Sequence, residues 1–131
     1  MKPGVLFVTP HSQDADLLSR MLGPLPLHLE HVADFAHLRA KMQDHSYRVI
    51  LTESTLADGT WLAVLELARV LKPSPEVIVT QAFADVRFWS EALNLGAYDL
   101  IPQPFAASEV RRILSNACSR PLRREAAAAK L

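Results

Sequence analysis

Five short apolar runs, rich in β-branched and aromatic residues, recur along this chain. Each is followed by a stretch whose apolar residues return at helical spacing. Few folds accept that alternation. Strands separated by helices cannot pair as hairpins, so the sequence calls for parallel strands joined by helical crossovers packed on both faces of one sheet. The strand candidates are residues 4–8 (GVLFV), 27–32, the run from Val49 through Leu51, 76–80 and 98–101. In the second, Leu27 and Leu29 alternate with His28 and Glu30, as on a strand with one wet side.

Punctuation between the runs marks the helices. Ser12 reads as an N-cap with Asp14 and Asp16 in the first turn, then Ala15, Leu18, Met21 and Leu22, with Gly23, Pro24 and Pro26 ending the helix. Asp34 caps a second helix carrying Phe35, Leu38 and Met42, which closes at Asp44-His45-Ser46. The third spans about 60–71, with Leu62, Leu65, Leu67 and Val70 as its stripe, and Pro73 and Pro75 bracket the next turn. Asp85 starts the fourth, with Val86, Trp89, Leu93 and Leu95, and Gly96 stops it. Ser108 reads as the N-cap of a fifth bearing Val110, Ile113, Leu114 and Ala117. Residues 1–118 form one domain; 119–131 read as a basic, alanine-rich tail or linker. Five strands and five helices in this length favour a flavodoxin-like three-layer α/β fold, with a parallel sheet in the order 2-1-3-4-5. Its switch point lies between strands one and three. The strand ends meeting there are Val8-Thr9-Pro10 and Thr52-Glu53-Ser54, which puts Glu53 at the mouth of the crevice where such folds place their chemistry.

Composition narrows the classes further. At 131 residues, half of them apolar, the chain suits one packed domain. No run approaches a membrane span, and charged and proline residues follow residues 4–8 too soon for a signal peptide, so a cytoplasmic protein is expected. Cys118 is the single cysteine, which rules out an internal disulfide and a multi-cysteine metal site. From Arg111 onward there are six Lys/Arg and one acid, Glu125, leaving about five surplus acids before it. A basic tail can meet nucleic acid or an acidic partner. Here no aromatic or second basic face supports direct nucleic-acid binding, and a solvated helix end is the simpler reading.

Two segments carry a resemblance to a known family. VILTESTLADGTWLAVLELARVL has an apolar strand, an acid at its end and a loop closing in Asp58-Gly59 before a helix. PEVIVTQAFADVRFWSEALNLGAYDLIPQPF carries Pro75, Ala82, Asp85, Ala92, Gly96, Ala97, Pro104 and Phe105 in a second matching pattern. Over residues 4–118 the chain resembles the receiver domain of two-component response regulators, the fold of the chemotaxis receivers. The resemblance implies a phospho-accepting Asp at position 53, two Mg²⁺-holding acids at 9 and 10, a Thr or Ser at 81 in ungapped alignment, a Lys at 103 and an aromatic switch residue at 100. This chain has Glu53, Thr9, Pro10, Gln81 (with Thr80 adjacent), Gln103 and Leu100 there.

Phosphoryl transfer to a carboxylate brings anions together, and its catalysis is mostly positioning and charge neutralisation. Without the acid pair and the lysine, little neutralising charge remains. The expectation is therefore a degenerate pseudo-receiver with no catalytic residues, no metal and no cofactor. It would act as a protein-interaction or dimerisation module in bacterial phosphorelay signalling. Two alternatives stay open: a phospho-accepting receiver using Glu53 or a nearby hydroxyl, and a small-molecule sensor using the vacated pocket of Thr9, Pro10, Gln81 and Gln103. Glu53 itself reads either as a tolerated acid at a strand end or as a permanent stand-in for the phosphorylated Asp.

Other candidates weigh less. His11 lies within reach of Glu53 for acid–base work, but no nucleophile or oxyanion motif accompanies it. His28, His31, His37 and His45 lack zinc-ligand spacing. Flavin binding is set aside, because the 9–13 loop has no glycine and Pro10 removes an amide. In the resembling family a partner or a second copy docks through helix four, strand five and helix five. Trp89, Arg87, Arg111 and Arg112 are the candidate interface residues there, since aromatics and Arg are enriched at such patches. An output domain can follow residue 131.

Overall fold

The computed structural model describes residues 2–83 and 85–120. Its main sheet has β1 (Gly4–Val8), β2 (His28–Val32), β3 (Val49–Glu53), β4 (Glu76–Ala82) and β5 (Asp99–Gln103). Between and after them run α1 (Ser12–Leu22), α2 (Phe35–Asp44), α3 (Trp61–Val70), α4 (Val86–Leu95) and α5 (Ala107–Ser119). All five strands are parallel, in the order β2-β1-β3-β4-β5. This is the flavodoxin-like three-layer arrangement that the alternation predicts.

Two-residue periodicity along the strands sorts the core into two layers. Val5, Phe7, Val49, Leu51, Ile78 and Ile101 pack with Ala15, Leu18 and Leu22 of α1 and with Val110, Ile113 and Leu114 of α5. Leu6, Val8, Ile50, Val77, Val79 and Leu100 point the other way, onto Leu38 of α2, Val64 and Leu65 of α3 and Ala92 of α4. The central strands are apolar throughout because both of their faces are covered.

Several local readings change. His11, not Ser12, is the N-cap residue of α1, without a side-chain cap, and Ala106 rather than Ser108 precedes α5. Asp14 alone lies in the first turn of α1. Gly23 stays in the right-handed helical region, so the two prolines that follow, not a left-handed stop, end α1. Gly96 does stop α4 in the left-handed way, at φ 117°. Asp34 and Asp85 cap as read, accepting from the His37 and Phe88 amides at 2.9 Å each.

The stripes of α3 and α4 also shift. Trp61, Val64, Leu65 and Ala68 are the buried face of α3, while Leu62 and Val70 are exposed. In α4 the inward side is Phe88 and Ala92; Val86 and Leu93 face water, and Trp89 is half-buried against the core. Trp61 meets Phe88 edge-on at 6.0 Å between ring centroids.

A small hairpin, Thr55–Leu56 with Gly59–Thr60, sits between β3 and α3 and was not legible in the pattern. From it the two Asp58 carboxylate oxygens accept the Phe35 and Ala36 amides at 2.9 and 3.0 Å. Those amides are first-turn donors of α2 with no partner inside the helix. The α5 helix ends one residue beyond 118, and Arg120 is still tied in. Its carbonyl accepts from Arg48 Nη1 at 2.9 Å, its Nη1 lies 3.5 Å from Glu76 Oε2, and its guanidinium lies over the Tyr98 ring. The rest of the predicted tail lies outside the described residues.

Candidate functional site

Strand parity assembles the site. Thr9 continues the Val5–Phe7 row, Glu53 the Val49–Leu51 row, Thr80 follows Ile78, and Gln103 follows Ile101. The pairings Glu53↔Thr80 and Ala82↔Gln103 bring their strand ends level at the carboxyl edge of the sheet. All four side chains therefore emerge on the α1/α5 side, just above the core layer.

They bond to one another. Thr9 Oγ1 donates to Glu53 Oε1 at 3.3 Å. Gln103 Nε2 donates to Glu53 Oε1 and Oε2 at 3.2 and 3.1 Å, and to Thr80 Oγ1 at 3.1 Å. Thr9 is fully buried and is the hub of the β1 end: its hydroxyl accepts the His11 amide at 3.1 Å, and its carbonyl accepts from His31 Nε2 at 2.8 Å. Of the predicted pocket residues, Thr9 and Gln103 are thus brought together with Glu53. Pro10 is exposed and takes no part in these bonds. The β4 residue in the cluster is Thr80, through its hydroxyl, and not Gln81 at the aligned position. Residue 81 shares the parity of Val79, whose side chain packs on the opposite face of the sheet. Leu100 is likewise on that opposite face, fully buried under α4, and so has no free surface on which to rotate.

Burial pushes the Glu53 carboxyl above the ordinary range. The bonds from Gln103 and Thr9 pull the other way, Asp14 adds to the rise, and His11 opposes it. Desolvation wins because every hydrogen-bond donor on the carboxylate is neutral. The consequence for stability has a definite sign. A group whose folded pKa is raised contributes stability that is fully present below its unfolded pKa and is lost as pH rises through the folded pKa. Glu53→Gln is therefore expected to raise the melting temperature at pH 7–8, by a few degrees if the gain is about 1 kcal/mol. That advantage disappears below about pH 4, where an unperturbed Glu is itself largely protonated. Parallel thermal melts of both proteins across pH read this directly; equal melting temperatures at pH 7 would refute it.

The resemblance implies Mg²⁺ here, and the donor set does not fit it. Mg²⁺ asks for hard oxygens in octahedral array, with one or two carboxylates. Thr9 and Pro10 supply none, and both Glu53 oxygens already accept from Gln103. Among the described residues no group of three or more His, Cys, Asp or Glu is placed to hold a metal.

The expected interface residues divide. Arg87 and Arg112 are exposed, and the half-buried Arg111 donates its Nε to the Met21 carbonyl at 2.8 Å, which fastens α5 to α1. Exposed apolar area gathers on and before α4: Val86 is 80% exposed and Phe83 99%, with Leu93 and Leu95 also open. Phe83 sits at φ 60°, a conformation a bulky side chain seldom adopts. Sequence spacing put Val86 and Leu93 on one helical stripe with Trp89 and did not decide which way that stripe faces. Two cavities of about 480 and 560 Å³ lie near Lys2, Pro26, His28, Tyr47 and Cys118, at the other end of the strands from Glu53. The Cys118 thiol there is pushed up to about 11 by burial.

No family model matches the chain, and no curated protein does. Solved structures match closely in shape. The signal receiver domain described for a Luxo repressor protein of Vibrio parahaemolyticus superposes with a TM-score of 0.85 at 20% identity, covering 92% of each chain. The receiver domain of a Francisella response regulator gives 0.80 at 18% identity, over 90% of this chain and 98% of that one. A chemotaxis response regulator of Vibrio cholerae gives 0.79 at 18%, over 89% and 99%. The chain has the receiver-domain fold. No helix among the described residues is long and apolar enough to cross a membrane.

Proposed function

We propose that this chain is an atypical receiver domain of two-component signalling, one that does not accept phosphate by the usual route and works as a protein-interaction or dimerisation module. One observation carries the reading. The carboxylate at the acceptor position is held by Thr9 and Gln103 through neutral hydrogen bonds, with no cation among its donors. A phosphoryl group arriving there would meet a carboxylate whose two oxygens are engaged, with no lysine or metal ligands to balance the added charge. The unit is residues 1–118, extended by the helical Ser119 and the tied-in Arg120, with the basic, alanine-rich remainder as a tail or linker, and the setting is the bacterial cytoplasm. No catalytic residue is assigned.

The docking surface in this reading is α4 with its flanks. Val86, Leu93 and Arg87 are exposed on it, and Trp89 is half-buried beside them. A second copy or a protein partner would cover that stripe, as apolar positions flanked by Arg are covered at interfaces.

The test is intact-mass measurement after incubation with acetyl phosphate and Mg²⁺. The expected spectrum is that of the unmodified chain. A stable gain of one phosphate that disappears in Glu53→Gln would overturn the reading in favour of a working receiver; a gain that persists in that variant would point to a neighbouring hydroxyl such as Thr80.

A further inference from the structure

We propose that Glu53, Gln103 and Thr80 form a proton-operated switch, in which protonation of Glu53 turns the Gln103 side-chain amide over and changes the group the crevice presents to a partner. The proposal rests on the reading that Glu53 is not consumed as a phosphate acceptor.

The geometry allows two complete hydrogen-bond states related by a half-turn of the Gln103 amide. With Glu53 ionised, one Gln103 Nε2 hydrogen lies between Oε1 and Oε2 at 3.2 and 3.1 Å, and the other goes to Thr80 Oγ1 at 3.1 Å. Carboxylate and hydroxyl both accept. When Glu53 Oε2, the oxygen not bonded by Thr9, takes a proton from water, its O–H donates toward Gln103, and the Gln103 N–H facing it becomes a second donor in the same place. A half-turn of the amide resolves the conflict. Gln103 Oε1 then occupies the inward position, with two lone pairs for two incoming donors, Glu53 Oε2–H and Thr80 Oγ1–H. Thr80 suits this because a hydroxyl can accept in one state and donate in the other. Thr9 Oγ1 stays a donor to Glu53 Oε1 in both states. One proton enters and no other bond is made or broken covalently.

The flip is legible from outside because an amide is planar: the atom that turns inward leaves its partner outward. Neutral Glu53 shows an NH₂ group at the crevice, and ionised Glu53 shows a carbonyl oxygen. The charged and titratable groups around Glu53 are few. Asp14 of α1 favours the protonated state and His11 of the preceding loop opposes it. His31 of β2 reaches only the Thr9 carbonyl. From β4 and β5 the neighbours are the neutral Thr80 and Gln103. The carboxyl is held above its ordinary range by burial, which moves the switch toward neutral pH.

The test is an NMR titration of the whole chain, following the Glu53 side-chain carboxyl carbon and the Gln103 side-chain NH₂ signals. The expected result is a single proton uptake with a common midpoint at both residues, and loss of the Gln103 titration in Glu53→Gln. Gln103 signals that stay fixed while Glu53 titrates, or that titrate unchanged in Glu53→Gln, overturn the switch. Gln103 signals fixed through the wild-type titration overturn the switch even if the variant fails to fold. Phosphate acceptance would instead show as added mass, so failure of the switch and failure of the underlying reading give different signals.

Discussion

Phe7→Ala is expected to destabilise the protein by about 3–5 kcal/mol, the range for removing a fully buried aromatic ring from a packed core. Phe7 has no exposed surface and lies in the centre of the α1/α5 layer. Its ring meets Phe105 edge-on, with centroids 6.2 Å apart. Domains of this size are stable by about 5–15 kcal/mol, so the variant would be marginal or unfolded at 37 °C. Urea unfolding monitored by far-UV circular dichroism reads the loss; a midpoint unchanged from the wild type would contradict the packing. The substitution also reaches the site. Phe105 follows Gln103 by two residues, so the ring pair ties the start of the β5–α5 connection to β1, and that tie helps to hold the Gln103 amide over Glu53. A double-mutant cycle with Phe105→Ala is expected to show about 0.5–1.5 kcal/mol of coupling from the aromatic pair.

Leu100→Ala is expected to cost about 2–5 kcal/mol, from lost transfer energy and the cavity left behind. Leu100 is fully buried among Val79, Ala92 and Ala97 on the opposite face of the sheet. Placing a large ring there by Leu100→Tyr is expected to destabilise as well, by about 1–3 kcal/mol, because the site is already filled and the phenol would need a hydrogen-bond partner. Guanidinium unfolding of both variants checks the pair. A neutral tyrosine variant would mean that α4 yields easily, and that position 100 retains room for a rotating ring. The expected outcome instead makes β5 and α4 a fixed unit at this position.

The fold could be read from the chain because alternation of strand and helix patterns admits few topologies, and because the punctuating residues Asp34, Asp85 and Gly96 do locally what their chemistry suggests. Helix faces were harder. In α3 nearly every residue is apolar, so more than one stripe satisfies the spacing, and only contact with the sheet selected Trp61, Val64, Leu65 and Ala68. In α4 the same ambiguity hid an exposed stripe at Val86 and Leu93. Serines at 12 and 108 looked like caps, yet both helices begin one residue or more earlier, where loop geometry and not side-chain chemistry sets the start.

The site shows the same division. The crevice position of Glu53, and the absence of the acid pair and lysine around it, follow from residue identity and the order of elements alone. Which hydroxyl joins it does not. Thr80 and Gln81 are adjacent, and a one-residue step along a strand moves a side chain to the other face of the sheet, so strand parity had to choose. The Asp58 clasp on α2, the His31 bond to the Thr9 carbonyl and the Arg111 bond to the Met21 carbonyl also join residues far apart in the chain. By itself the sequence determined the architecture and which residue types stand at the strand ends around the crevice, because periodicity and residue type are local properties. Only the tertiary structure decided that Glu53 is held half-buried by neutral donors, because burial and hydrogen-bond partnership depend on which strand ends the packed sheet brings level.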